Sequence, residues 1–298
     1  MESPYTSIAA EVLRAGANAN VVVDEAHHPD VFQKDAFLVV IGQANARIAV
    51  QNGLAGLWIP VSGRSALCTM STRVVTGKGT VYASDSQRRL TVEVGRKAGC
   101  VAIMARQNLW SAALAPWQSG PALPYTVLPG LHRARCGVRR GLFRFVREAA
   151  HGDAPRMNLS LLAASLGELQ TEFEALVHRC PGTSVLAKRS NFLRLQRSIN
   201  QIFFCEKEQP RVTELAAISN YSLHQFIRVF SQVYGCTPRT YMSRLRAARA
   251  QEILAGSELA VRDVAAALGI ESRATFARLV KKNFGQPATL VRRVVRTP

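Results

Sequence analysis

Acidic residues are scarce in this chain: 20 Asp and Glu stand against 38 Lys and Arg over 298 residues, a formal net charge of +18. An excess of that size selects against cationic partners and points to a polyanion, nucleic acid or an anionic membrane surface. Long apolar runs are also missing. None approaches the ~20 residues of a membrane span, and the opening segment lacks a basic stretch followed by an apolar one, so a cytoplasmic protein with no membrane segment is expected. The six cysteines (Cys68, Cys100, Cys136, Cys180, Cys205 and Cys236) stand more than twenty residues apart. That dispersal excludes CxxC zinc pairing and a secreted disulfide framework, and fits a reducing compartment. Residues 36 to 128 contain no histidine, which removes the usual metal ligands from that stretch. His27 and His28, near Glu25 and Asp30, lack a convergent further ligand in sequence, and no metal or other cofactor is expected. There is no GxSxG elbow, and "TGKGT" lacks the spacer and GK[ST] of a phosphate loop. No catalytic residue is assigned, and the chain is expected not to be an enzyme.

What is present divides into two parts. From residue 36 to about 128, "AFLVVIG", "GLWIPVSG", "ALCTMSTRVVTGKGTVYAS", "RLTVEVG" and "CVAIMAR" are short β-branched runs punctuated by glycine. Such spacing predicts an antiparallel sandwich or barrel. Pro116, Pro121, Pro124 and Pro129 mark an irregular exit, and helices are predicted over Arg133 to Ala150 and Asn158 to His178. In the second, Leu159, Leu162, Leu166, Leu169, Phe173 and Leu176 recur at spacings of 3 and 4. This apolar stripe either packs on its own β domain or forms a homodimer seam through Leu159, Leu162, Leu166, Leu169 and Phe173. "CPGTSVLAKRS", residues 180 to 190, has linker composition. Beyond it the chain reads as helical and carries most of the charge: +12 from Lys188 onward against +6 before it.

The helical part contains a repeat. A short helix carrying Leu215 and Ala216 is followed by "SNYS", where Asn220 tolerates a left-handed turn and Ser222 is an N-cap. On the helix after it, Phe226, Val229, Phe230 and Val233 share one face and His224, Gln225, Arg228 and Ser231 the other, until Gly235 and Pro238 stop it. Forty-nine residues on, Val264, Ala265 and Gly269 repeat Leu215, Ala216 and Asn220. Glu271 is an inserted residue, after which Ser272, Phe276, Arg278, Val280 and Gly285 repeat Ser222, Phe226, Arg228, Phe230 and Gly235. Between the copies, "TYMSRLRAARAQEILAG" predicts a connecting helix, with Leu245, Ala248 and Leu254 packing on both halves. A helix-turn-helix places its second helix in the DNA major groove, so two copies suit successive grooves about 34 Å apart.

These two segments, "ELAAISNYSLHQFIRVFSQVYGCTPRTYMSRLRAARAQEIL" and "VRDVAAALGIESRATFARLVKKNFGQPATLVRR", resemble the DNA-binding domain of the AraC/XylS family of bacterial transcription regulators. The resemblance covers roughly Asn191 to Arg293 and implies seven helices, promoter binding and usually activation. The chain departs from the family pattern at "GQPA", at Val291 in an aromatic position, at Val280 in place of Phe, and at Glu271. More loosely, "VSG", "VVTGKGTVY" and "MARQNLW" resemble the cupin-like sensor barrels of the same family. The implied fold is α+β: a cupin-like sensor and dimerisation domain over 1–179 with two linking helices, a linker over 180–190, and a DNA-binding domain over 191–298.

Candidate DNA contacts follow. Arg228 and Arg278 lie on the polar faces of the recognition helices, where Arg grips guanine bidentately or holds phosphate. His224, Gln225, Arg273 and Ala274 lie near the helix starts as base readers; Ala274 suits only a thymine methyl. Ile227 is either a base-methyl contact or a flank of the core. Arg244, Arg246, Arg249, Lys281 and Lys282 suit phosphates. The expected partners are double-stranded promoter DNA, RNA polymerase, a small-molecule effector and a second copy of the chain. Two alternatives stand beside this reading: thiol redox sensing through Cys68, Cys100, Cys136 or Cys180, and a cupin-like enzyme.

Overall fold

A computed structural model describes residues 7–33, 36–69, 72–87, 89–114, 128–150, 156–204 and 209–296. The chain forms two compact units, Met1–His178 and Arg179–Pro298.

The first unit runs β1 (Ser7–Ala15), β2 (Asn20–Val23), α1 (Pro29–Gln33), β3 (Ala36–Gly42), β4 (Arg47–Val50), β5 (Leu54–Ser62), β6 (Arg64–Thr69), β7 (Thr72–Gly77), β8 (Thr80–Ser84), β9 (Leu90–Val94), β10 (Gly99–Arg106), α2 (Gln107–Leu114), β11 (Gly130–Arg133), α3 (Cys136–Ala150), β12 (Arg156–Asn158) and α4 (Leu159–Arg179). The strands make a seven-stranded sheet, β11-β8-β5-β10-β3-β1-β12, and a five-stranded one, β2-β4-β9-β6-β7. Pairing is mainly antiparallel, as the glycine-punctuated runs predict, but β1 with β3 and β2 with β4 are parallel. The sheets approach closely at Gly42, where an added Cβ would come within 3.0 Å of Ile48 Cδ1 on the second sheet and of Cys100 Sγ. Pro116, Pro121 and Pro124 lie outside the described residues.

β3, read as one apolar run, is buried on both faces. Phe37 and Val39, with Leu57, Ile59, Val81, Val101 and Ile103, pack on Val138, Leu142 and Phe145 of α3 and Leu159, Leu162, Leu166 and Leu169 of α4. Trp110 of α2 joins this core, edge-on to Phe37 at 4.9 Å and donating through Nε1 to the Ala55 carbonyl at 3.0 Å. The stripe offered above as a homodimer seam is therefore covered within the same chain: Leu159, Leu162 and Leu166 have no exposure and Leu169 has 3%. Phe173, the remaining member, lies over the buried His132 ring at 4.1 Å. A flat sheet accepts the same apolar stripe that a partner helix would.

In the second unit, seven helices are described: α5 (Val185–Phe204), α6 (Val212–Ile218), α7 (Leu223–Tyr234), α8 (Pro238–Gly256), α9 (Val261–Ala267), α10 (Arg273–Phe284) and α11 (Ala288–Arg296). The segment 180–190, expected as a linker, holds a short turn and then the start of α5. Ser184 Oγ accepts from the Ala187 amide at 3.1 Å at that start, and Asn191 Nδ2 ties α5 back to the Pro181 carbonyl at 2.8 Å. In the first half, Phe226 and Phe230 pack at 5.5 Å, and Phe230 meets the Tyr234 and Tyr241 rings. The second half is an aliphatic counterpart in which Val264, Ala265, Phe276 and Val280 close on Ala250 and Leu254 of α8 and Val291 of α11. The connecting helix turns inward on Ala247 and Ala250, whereas Ala248 faces solvent. That registration is set by the buried Met242 and Leu254 at either end of α8.

Candidate nucleic-acid interface

The two hairpins are built by the same local chemistry. Asn220 and Gly269 both hold the left-handed turn, with φ of 55° and 66°. In each copy the next amide folds back across the turn: Tyr221 N donates to Ala216 O at 3.0 Å, and Ile270 N to Ala265 O at 2.9 Å. This is the Schellman arrangement, which satisfies the last carbonyls of the first helix. The second helix then opens on a serine cap. Ser222 Oγ accepts from Gln225 N at 3.4 Å, and Ser272 Oγ from Thr275 N at 3.3 Å. Gly235 and Gly285, at φ 68° and 70°, end the two helices.

These caps fix which side chains face out. Phe226, Val229, Phe230 and Val233 of α7 are buried, and His224, Gln225 and Arg228 are exposed on one surface with Ile227 and Ser231. Ile227 is half-buried there, a flank to the polar groups. On α10, Phe276 and Val280 are buried and Arg273, Ala274, Arg278, Lys281 and Lys282 are exposed. Glu271, the inserted residue, is exposed one place before the Ser272 cap. Gln225 has a second duty: its Oε1 accepts from the Ser222 amide at 3.5 Å, completing a reciprocal capping box. The Ser-x-x-Gln spacing carries that signal in sequence.

A second cluster gathers two of the cations expected from sequence, Arg246 and Lys282, with one that was not, Arg239. Where the start of α8 meets α10, Thr237, Arg239, Thr240, Ser243, Arg246 and Lys282 line a polar groove. Thr237 caps α8, with Pro238 at its first position, so a helix N-terminus and three cations converge there, a combination suited to phosphate. Burial, with Arg249 close by, holds the Arg246 guanidinium below its ordinary pKa. Arg249 itself turns inward to the Phe203 carbonyl, so it is not an outward phosphate ligand in this arrangement. Arg244 is exposed on α8 and does not line this groove. At the "GQPA" departure Pro287 precedes α11, its carbonyl accepts from Leu290 and Val291, and Val291 is buried.

Elsewhere, His27 is bonded to Asp24 at 2.6 Å and His28 contacts Glu11, so each of the paired histidines already has a carboxylate partner. Burial pushes the Cys100 thiol up to about 12 and the Cys180 thiol up to about 11, far from a reactive thiolate. Cys205 lies outside the described residues.

Residues 215–293 match the sequence family described as a helix-turn-helix domain. The probable transcription factor PqrA of Proteus vulgaris is 32% identical over 77 residues, which are 26% of this chain and 63% of that protein. The HTH-type transcriptional regulator GbdR of Pseudomonas aeruginosa strain UCBPP-PA14 is 32% identical over 81 residues, 27% of this chain and 22% of that one. The chain thus spans less than two thirds of the length of either curated relative. Among solved structures, a transcriptional regulator of the AraC-type DNA-binding class from Chromobacterium violaceum covers 35% of this chain and 94% of its own, at 22% identity and a TM-score of 0.34. Residues 215–293 of the chain thus match a helix-turn-helix domain, in keeping with the two hairpins built by α6–α7 and α9–α10.

Proposed function

We propose that the chain is a sequence-specific, DNA-binding transcription regulator. The observation that carries this reading is the duplicated hairpin, with the same turn, cap and stop in both copies and a polar, partly cationic face on each second helix. α7 and α10 enter successive major grooves, Arg228 and Arg278 bond base edges or phosphates, and His224, Gln225, Arg273 and Ala274 lie at the base-reading ends. Lys281, Lys282 and Arg244 hold the backbone, joined by Arg239. The β-rich unit is the sensor: a small-molecule effector bound there acts by favouring one arrangement of the chain over another. Activation through RNA polymerase and assembly as a homodimer complete the proposal, with the dimer formed by a surface other than the Leu159–Leu169 stripe. The relatives' names support a regulator over a cupin-like enzyme. The raised thiols of Cys100 and Cys180 count against redox sensing at those two positions.

The test is selection of bound genomic fragments by the full chain and by Arg228→Ala at moderate and raised salt. A shared sequence element that weakens in the variant supports the proposal. Uniform binding that salt abolishes equally in both proteins overturns it.

A further inference from the structure

α3 carries a second cationic surface, in the β-rich unit. Between Arg133 and Ala150 the chain has six arginines and a single acid, Glu148. The apolar face of the helix (Val138, Leu142, Phe145, Val146 and Ala149) is buried in the unit's core. Arg140, Arg144 and Arg147 are exposed at i, i+4 and i+7, a row about 10 Å long on the opposite side. With Cys136, Arg139 and Phe143 they border a shallow surface groove. Glu148 meets Arg144, at 2.9 Å. Arg139 lies over the Phe143 ring at 5.5 Å, which sets the groove floor.

Three partner chemistries suit a row of guanidinium groups: phosphodiester backbone, acidic protein and anionic lipid. Lipid binding by an interfacial helix needs an apolar face free to enter the acyl boundary, and that face of α3 is committed to the core. Protein interfaces take their affinity from a buried apolar or aromatic centre, whereas this surface offers only the half-buried Phe143. A repeated row of forked cations around a single half-buried ring matches phosphates, which need charge and bidentate hydrogen bonding and little else.

We infer that the Arg140–Arg144–Arg147 face of α3 is a sequence-independent contact for the DNA backbone, used beyond the bases read by α7 and α10. The inference rests on the DNA-binding function proposed above. It adds a separate prediction, that length and salt dependence of binding reside partly in the β-rich unit.

The experiment is fluorescence anisotropy with the full chain, titrating salt, on two labelled duplexes. One holds only the selected element of about two helical turns, and the other extends it by about two turns on each side. Random sequence of the same lengths serves if selection recovers no element. The proteins are wild type, Arg140→Gln/Arg144→Gln/Arg147→Gln, and the corresponding triple Lys variant. For wild type, log K against log salt is steeper on the long duplex. The Gln variant loses about two to three units of that slope and binds the long duplex roughly tenfold more weakly near 0.1 M salt. It matches wild type on the short duplex, and the Lys variant keeps the slope.

Equal slopes for wild type and the Gln variant on the long duplex overturn the inference. Co-sedimentation with phosphatidylserine vesicles that is lost in the Gln variant, alongside unchanged DNA slopes, overturns it in favour of lipid. Failure of the regulator reading looks different: no preferred element and no effect of Arg228→Ala, whatever the α3 variants do.

Discussion

The Arg194 guanidinium lies 3.8 Å over the centroid of the Tyr221 ring while its Nε donates to the Ser219 carbonyl at 2.9 Å. Its other arm reaches the Asn220 carbonyl, and Tyr221 donates its hydroxyl to Asn191 Oδ1 at 2.8 Å. One side chain of α5 thus holds the turn that aims α7. Arg194→Met should cost about 1–2 kcal/mol through lost charge-assisted bonds and stacking. Arg194→Lys should restore little, since an ammonium lacks the fork. Urea unfolding, with amide exchange at residues 219–225, checks this; protection unchanged in Arg194→Met would refute the clamp.

The two serine caps make a matched pair. Ser222→Ala and Ser272→Ala should each cost about 1 kcal/mol, with the larger loss at Ser222, whose box with Gln225 is reciprocal. Thermal melts of the two single variants supply the comparison. Equal melting temperatures for all three proteins would show that neither cap matters.

Base preference should divide between the hairpins. Arg228→Ala and Arg278→Ala are each expected to relax discrimination at a different position of the selected element, by about 1–3 kcal/mol for a bidentate contact. Selection with each variant reads this directly. Uniform weakening with the preference intact would reassign that arginine to phosphate.

His132 predicts an acid limit on the β-rich unit. Burial holds its pKa at about 4, against an ordinary 6.5, with Nε2 on the Leu128 carbonyl at 3.0 Å. Between those two values the unfolded chain binds the extra proton and the folded one does not, so stability falls as pH drops from about 6.5 to about 4 and is flat in this group below that. The full window is worth about 3 kcal/mol. His132→Gln should flatten it, as seen in denaturant midpoints measured across pH 4–7. A wild-type slope that survives the substitution would place the acid sensitivity elsewhere.

Leu162→Glu/Leu169→Glu should unfold the β-rich unit, since each leucine sits fully or almost fully buried against the sheet and α3. The expected loss exceeds about 4 kcal/mol. Light scattering together with near-UV circular dichroism separates the cases. A folded monomer from a dimeric wild type would return these residues to a subunit interface.

How much of this was legible in the sequence depended on whether the signal was local. The turn, cap and stop of each hairpin are short-range chemistry, and Asn220, Gly269, Ser222, Ser272, Gly235 and Gly285 stand where their residue types require. β1 was hidden for the opposite reason. "SIAAEVLRA" is rich in helix formers, and it becomes a strand through parallel pairing with β3 from Ala9 opposite Ala36 onward, a long-range interaction that propensity does not encode. β11 and β12, of four and three residues, are too short to show a period. The α4 stripe was visible as apolar spacing, but spacing carries no information on what covers it. Arg239 and Arg194 escaped because their roles depend on neighbours forty or so and twenty-five residues away.

α8 joins the two hairpins as one uninterrupted helix of 19 residues, about 28 Å of rise. In the DNA-binding reading proposed above, it would act as a ruler between two readers. A binding site that gains or loses one base pair between its halves turns one half away by about a tenth of a helical turn, and no single side-chain change in α7 or α10 can follow it. If α7 and α10 read DNA as proposed, target sites would be free to drift in letters but held fixed in spacing, and a change of spacing would have to come from the length of α8 itself.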